Sequence, residues 1–213
     1  MKLKSTSFDN VYLIEEDVFI DDRGYFMEVW NEMGYSNKKR LNDIPSLKAI
    51  QNDNSLFSAM FVQDNVSVSR KGVFRGLHYQ VGDFAQAKLV RVLRGSVIDF
   101  IVDLREESKN YGKFEYFELN DKNNLSLFVP PYFAHGFLSL EEGTIFTYKC
   151  SNYYHKESEG SVHFKDPVIR HISKKKDTIE DIIKIYYPYD DEKDILISKK
   201  DDQSPKFLYR RHV

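Results

Sequence analysis

The sequence predicts an all-β fold, a sandwich or a barrel with few short helices. Three observations predict it. Apolar or alternating runs of strand length recur at regular spacing, turn residues separate them, and aromatics make up 15% of the 213 residues, with 14 Tyr and 16 Phe. The candidate strands are 11–20, 25–30, 61–69, 88–94, 96–103, 114–119, 126–130, 136–140 and 144–150. The run from Ser96 to Asp103 has a period of two. It puts Ile98, Phe100 and Val102 on one face and Val97, Asp99, Ile101 and Asp103 on the other. Gly72, Gly76, Gly95 and Gly136 fall at turns or close-packing points between runs. One helix is predicted near 177–185. Ile179, Ile182 and Ile183 share a helical face, Asp177 is the candidate N-cap, and the segment stops before Pro188. Residues 38–56 are polar and mixed and read as an inserted loop. Lys174–Lys176 and Asp190–Glu192 read as solvated charge runs.

The length fits a single domain spanning 1–213 that buries a sizeable core. A net charge of -2 supplies no general attraction to nucleic acid or acidic membranes, so neither is expected as a partner. The single Cys150 cannot close an internal disulfide and points to a reducing compartment. MKLKSTSFDN lacks an apolar signal region, and no apolar run approaches the length of a membrane span. A cytoplasmic protein is expected.

Four stretches carry chemically useful residues. GVFRGLHYQVGDFAQAKLVRVLRGSVID (72–99) holds Arg75, His78, Gln80, Lys88 and Arg91; VPPYFAHGF (129–137) holds His135; TYKCSNYY (147–154) holds Tyr148, Tyr153 and Tyr154; and DRGYFME (22–28) holds Arg23 and Glu28. Taken singly, each has a structural reading. A lone His in a strand is a common satisfied core residue, the tyrosines suit core aromatics with rim hydroxyls, and Arg75 and Lys88 suit surface ion pairs. His155, His163, His171 and His212 sit in polar surroundings and read as surface residues. Convergence favours function, because two histidines, strong cations and several tyrosines fall together in an alternating β framework.

A metal site is argued against. Small cupin-type barrels bind metal through His-x-His, a later Glu and a second-half His. Here the motif reads His78-Tyr79-Gln80, and an amide is a poor ligand for a borderline divalent ion. Acid–base chemistry fits better. His78 can take a proton near neutrality, Tyr148 can donate one from the other side, and Lys88 or Arg75 can stabilise an oxyanion. That equipment suits removal of a proton next to a ketone. No base is evident for Cys150, and there is no P-loop or Rossmann fingerprint.

The segments DDRGYFMEVWNE (21–32), FVQDNVSVSRKGVFRGLHYQ (61–80), AQAKLVRVLRGSVIDFIVDLR (85–105), VPPYFAHGFLSL (129–140), YKCSNYYHKESEG (148–160) and ILISKKD (195–201) resemble the dTDP-4-dehydrorhamnose 3,5-epimerase family, in order and over most of the chain. The resemblance implies a cupin-like jelly-roll barrel with its core at about 8–170, and a C-terminal segment 171–213 that returns Asp201 to the site. It implies a homodimer with strands exchanged or packed across the interface. The reaction implied is cofactor-free epimerisation at C3 and C5 of a dTDP-linked 4-keto-6-deoxyhexose, on the route to dTDP-L-rhamnose and cell-surface polysaccharide. By the same resemblance, His78 is the general base, Asp201 its carboxylate, Tyr148 the opposing acid and Lys88 the cation near the enolate oxygen. Arg23, Glu28, Gln63, Asn65, Arg75 and Lys200 would hold the dTDP part. Tyr154 would stack on thymine, and His135 and Glu159 would make further substrate contacts.

Some positions depart from the family pattern. Phe164 replaces a Trp, the Trp-Pro that usually follows is missing, Tyr132 stands where Gly is common, and Glu159 stands where Asp is frequent. The 38–56 stretch and the long connection before Asp201 are further departures. Three other readings stay open at this point: an epimerase acting at one centre of a related nucleotide-linked 4-keto sugar, a catalytically silent cupin-type binding module, and a metal-dependent cupin isomerase.

Overall fold

A computed structural model of the protein describes residues 1–31, 61–189 and 195–207. The expected loop at 38–56, the acidic run Asp190–Glu192 and His212 lie outside these residues. Two six-stranded sheets stack face to face. One has the order β1 (Lys2–Ser5), β2 (Tyr12–Glu15), β10 (Leu125–Val129), β7 (Lys88–Arg94), β12 (Thr144–Cys150), β5 (Gln63–Ser69). The other has the order β13 (Glu159–Ser161), β6 (Phe74–Gln80), β11 (Phe133–Ser139), β8 (Ser96–Asp103), β9 (Lys113–Asn120), β14 (Arg170–His171). Strands β3 (Val18–Asp21) and β4 (Gly24–Met27) form a separate hairpin. Pairing is antiparallel throughout these sheets apart from β14 beside β9. This is the jelly-roll barrel of the cupin class.

The alternation in β8 explains the layering. Its Val97 and Ile101 point between the sheets and pack with Val90, Val92, Leu127, Phe133, Phe137 and Phe146. Its Ile98, Phe100 and Val102 point outward, yet they are fully buried because a C-terminal layer covers them. Helix α1 (Ile179–Tyr186) supplies Ile179, Ile182 and Ile183 to that layer. Each such side chain contributes roughly 1.5–3 kcal/mol when fully buried. The helix begins one residue later than the sequence suggests. Thr178, not Asp177, is the N-cap: its hydroxyl accepts from Asp181 N at 3.1 Å, and the Asp181 carboxylate accepts from Thr178 N at 2.8 Å.

Other expectations are corrected. The run 11–20 is two strands, β2 and β3, which part at Glu16–Asp17 and join different sheets. The strand expected at 25–30 ends at Met27. Strand β6 was absent from the expected set; Gly76 lies inside it, at a close approach and not at a turn. His171 is buried and not a surface residue: its Nδ1 accepts from Ser173 N and Lys174 N, and its ring packs edge-on to Phe114. Tyr132 has φ 65°, in the left-handed region that favours glycine, so the backbone explains why glycine suits this position and nothing in the structure explains the tyrosine. Among the described residues, no helix is long and apolar enough to cross a membrane.

Candidate active site

Strands β6 and β11 are neighbours, and their register sets His135 directly opposite His78. Two glycines permit the close approach. A Cβ on Gly76 would lie 2.6 Å from Gly136 Cα, and one on Gly136 would lie 2.5 Å from Arg75 O. Both histidines line one cavity of about 480 Å³ at the mouth of the barrel. The facing sheet contributes Lys88 from β7 and Tyr148 from β12. Arg75, Ser67, Phe74, Phe137 and Phe146 complete much of the wall.

The remaining wall is the segment Leu196–Asp201. Leu196 docks it on the start of β6: its N–H donates to Gly72 O at 2.9 Å, and its carbonyl accepts from Phe74 N at 3.0 Å. A short helix α2 (Lys199–Asp202) follows, and the Ser198 hydroxyl accepts from Asp201 N at 3.1 Å. This brings Asp201 Oδ1 to 2.6 Å from His78 Nε2, while Oδ2 accepts from Gly76 N at 3.4 Å. Burial would raise the Asp201 carboxyl. The hydrogen bond and charge of His78, with help from Gly76 and Ser198, hold it below the usual carboxylate range instead.

The other groups are tuned mainly by burial. It lowers the Lys88 ammonium, against the pull of Cys150, Asp99 and Glu159. It raises the Tyr148 phenol, with Cys150 adding and Arg75 opposing. It also raises the Cys150 thiol, which argues against a nucleophilic role.

A smaller adjoining cavity of about 150 Å³ shares His78, Lys88 and Tyr148 and adds Gln63, Tyr154 and Glu159. Gln63 accepts from Tyr154 N at 3.0 Å and donates to Asn65 Oδ1 at 2.9 Å. Glu159 accepts from the Tyr154 hydroxyl at 2.9 Å and pairs with Lys200 at 2.6 Å. Arg75 donates to Ser69 Oγ at 3.1 Å and to Val68 O at 3.3 Å.

Thus His78, Lys88, Tyr148, Asp201, Arg75, His135, Gln63, Tyr154, Glu159 and Lys200 each line at least one of the two cavities, and Asn65 contacts Gln63 beside them. Arg23 and Glu28 line neither. Arg23 is exposed at the β3–β4 turn, paired with Asp21, and Glu28 accepts from Asn31. Sequence reasoning missed Asp99 as a site residue. Its oxygens lie 3.0 and 2.9 Å from His135 Nε2. The available signal was a carboxylate on the inward face of an otherwise apolar strand. Position 80, the missing metal ligand, has its amide committed to backbone groups. Among the described residues, no group of three or more His, Cys, Asp or Glu could hold a metal ion.

A His–carboxylate pair, a phenol and an ammonium line one cavity of a jelly-roll barrel, an arrangement chemically able to take up and give back protons. The chain matches the family model for dTDP-4-dehydrorhamnose 3,5-epimerase over residues 5–208. It is 40% identical to the dTDP-4-dehydrorhamnose 3,5-epimerase of Methanothermobacter thermautotrophicus over 196 residues, 92% of this chain and 89% of the relative. The crystal structure of the enzyme of that name from Elizabethkingia anophelis superposes with a TM-score of 0.75 at 42% identity, covering 97% of this chain and 96% of that one. A Legionella pneumophila dTDP-6-deoxy-D-glucose-3,5-epimerase in complex with dTDP-4-keto-L-rhamnose superposes with a TM-score of 0.71 at 33% identity, covering 95% and 90%. The chain belongs to the dTDP-4-dehydrorhamnose 3,5-epimerase family and is an isomerase.

Proposed function

We propose that the protein epimerises both C3 and C5 of dTDP-4-dehydro-6-deoxy-D-glucose to dTDP-4-dehydro-L-rhamnose, without a cofactor, in the cytoplasmic synthesis of dTDP-L-rhamnose for cell-surface polysaccharide. The observation that carries the reading is the 2.6 Å His78–Asp201 contact in a cavity that Tyr148 and Lys88 also line. The C4 ketone acidifies the C–H bonds on both sides of it, so one base can serve both centres. His78 removes the proton, and Asp201 orients the ring and stabilises the imidazolium that forms. Charge moves to the ketone oxygen, where Lys88 stabilises the enolate in a largely buried setting. Tyr148, kept protonated by its raised pKa, delivers a proton to the opposite face. Arg75 and Lys200 supply positive charge for the diphosphate, and Tyr154 supplies an exposed ring for thymine. Gln63, Asn65, Glu159 and His135 contribute polar contacts around the nucleotide and sugar.

The active form is a homodimer in this reading. Phe19, Ile20, Tyr25 and Phe26 are exposed on the β3–β4 hairpin, and Val66 and Val68 are exposed on β5, an edge strand. Packing these surfaces together would bury them and let Arg23 and Glu28 act on the partner's nucleotide.

The test is solvent exchange. With dTDP-4-dehydro-6-deoxy-D-glucose in deuterated water, label should enter at both C3 and C5, read by NMR. Label at one carbon alone would make the protein a single-centre epimerase, and no label would leave a silent binding module. Activity is expected to survive exhaustive chelation; its loss would restore the metal-dependent alternative.

A further inference from the structure

We infer that Gln80 is a positioning residue for the nucleotide: one buried amide ties the segment that carries Tyr154 to the turn after β6, so that nucleoside-diphosphate recognition depends on it more than proton transfer does. This rests on the reading of Tyr154 as the stacking residue. Gln80 is 5% exposed at the end of β6. Its Nε2 donates to Phe84 O at 2.7 Å and to Tyr153 O at 3.1 Å, and its Oε1 accepts from His155 N at 2.8 Å. Both N–H groups and the carbonyl oxygen are therefore used. Phe84 belongs to the turn after β6, while Tyr153 and His155 flank Tyr154 in the chain.

The same two segments are joined elsewhere. The Phe84 and His155 rings stack with centroids 3.8 Å apart and planes 6° apart. Asn152 Nδ2 donates to Asp83 O at 2.7 Å, and Gln86 Nε2 donates to Asn152 O at 2.8 Å. Gln80 is the deeply buried centre of this set, and it fixes the backbone on both sides of a ring that is itself 56% exposed. A platform held in place before the ligand arrives loses less conformational freedom on binding. The position that would carry a second metal ligand in a metal-binding cupin here shapes a surface for a planar base.

Gln80→Met keeps the length and removes all three hydrogen bonds without adding charge. Calorimetric titration with dTDP, together with steady-state kinetics, tests the assignment. Dissociation constant and KM are expected to rise about tenfold or more, the scale of losing one ordered side chain, while kcat stays within about threefold. Tyr154→Ala should weaken dTDP similarly, and the double variant should bind about as well as the weaker single variant, because both changes remove the same platform. The assignment falls if Gln80→Met leaves dTDP affinity within about twofold, if kcat falls as far as KM rises, if the two changes add independently, or if the variant fails to fold, which would make Gln80 a stability residue. Unchanged dTDP affinity in Tyr154→Ala would instead remove the stacking reading itself.

Discussion

Two histidine–carboxylate pairs face each other across strands β6 and β11, and they differ in almost every physical respect. His78 is 31% exposed in its side chain, its Asp201 partner is 6% exposed, and one carboxylate oxygen approaches at 2.6 Å. His135 and Asp99 are 7% and 0% exposed, and both oxygens approach one ring nitrogen at 3.0 and 2.9 Å. Burial acts on both carboxyls, yet their shifts have opposite signs. Burial leaves Asp99 raised despite His135 and Lys88, whereas His78, Gly76 and Ser198 leave Asp201 lowered. The open pair therefore keeps a charged carboxylate behind a ring that a substrate can reach. In the sealed pair burial works against charge on Asp99, and His135 forms part of the cavity wall. Identical side chains thus acquire different uses through access and hydrogen bonding.

The largest expected effect breaks the open pair at its ring. His78→Ala should lower turnover about 1000-fold or more, at the upper part of the range for general acid–base catalysis, while dTDP still binds. Substantial residual turnover would remove His78 from the role of base. Asp201→Asn comes next. It leaves the ring in place but without a charged partner, so kcat should fall about 100-fold with KM changed little. A KM effect as large as the kcat effect would instead make Asp201 a binding residue.

The smallest effect sharpens the comparison through stability. A lowered carboxyl adds stability that is fully present above its unfolded pKa, and that stability is lost as pH falls through the lower folded value. A raised carboxyl does the reverse: its penalty is absent at low pH and grows as pH rises from the unfolded value through the folded one. Chemical unfolding followed across the acid range should show Asp201→Asn losing part of the wild-type rise of stability with pH and Asp99→Asn gaining a steeper rise. Slopes of the same sign in the two variants would collapse the distinction.

Much of this architecture is legible in the sequence, for identifiable reasons. Strands β5 and β7–β12 announce themselves by apolar runs, and the alternation in Ser96–Asp103 assigns both buried faces of β8. Strand β6 is different. RGLHYQ interrupts its apolar residues with Gly76 and four polar or amphipathic side chains, and its extended state comes from pairing with β11 and β13. The period of two places Asp99 inward but cannot reveal its partner, which lies 36 residues away. Asp201 is harder still: nothing local in ISKKDD says that its carboxylate will meet a histidine, and only family likeness pointed there. Motif likeness also cannot say where a residue will stand. Arg23 and Glu28 fit the pattern, yet they lie off both cavities of their own chain.

The docking of Leu196 on the start of β6 has a consequence for the newborn chain. A ribosome polymerises every strand, β1 through β14, before it reaches residue 195. His78, His135 and Asp99 have then all been made while Asp201 is still unmade. The His78–Asp201 contact is therefore among the last that the growing chain can make. A chain cleaved ahead of that segment would keep His78 and lose the carboxylate beside it, together with the core contacts of Ile195 and Phe207.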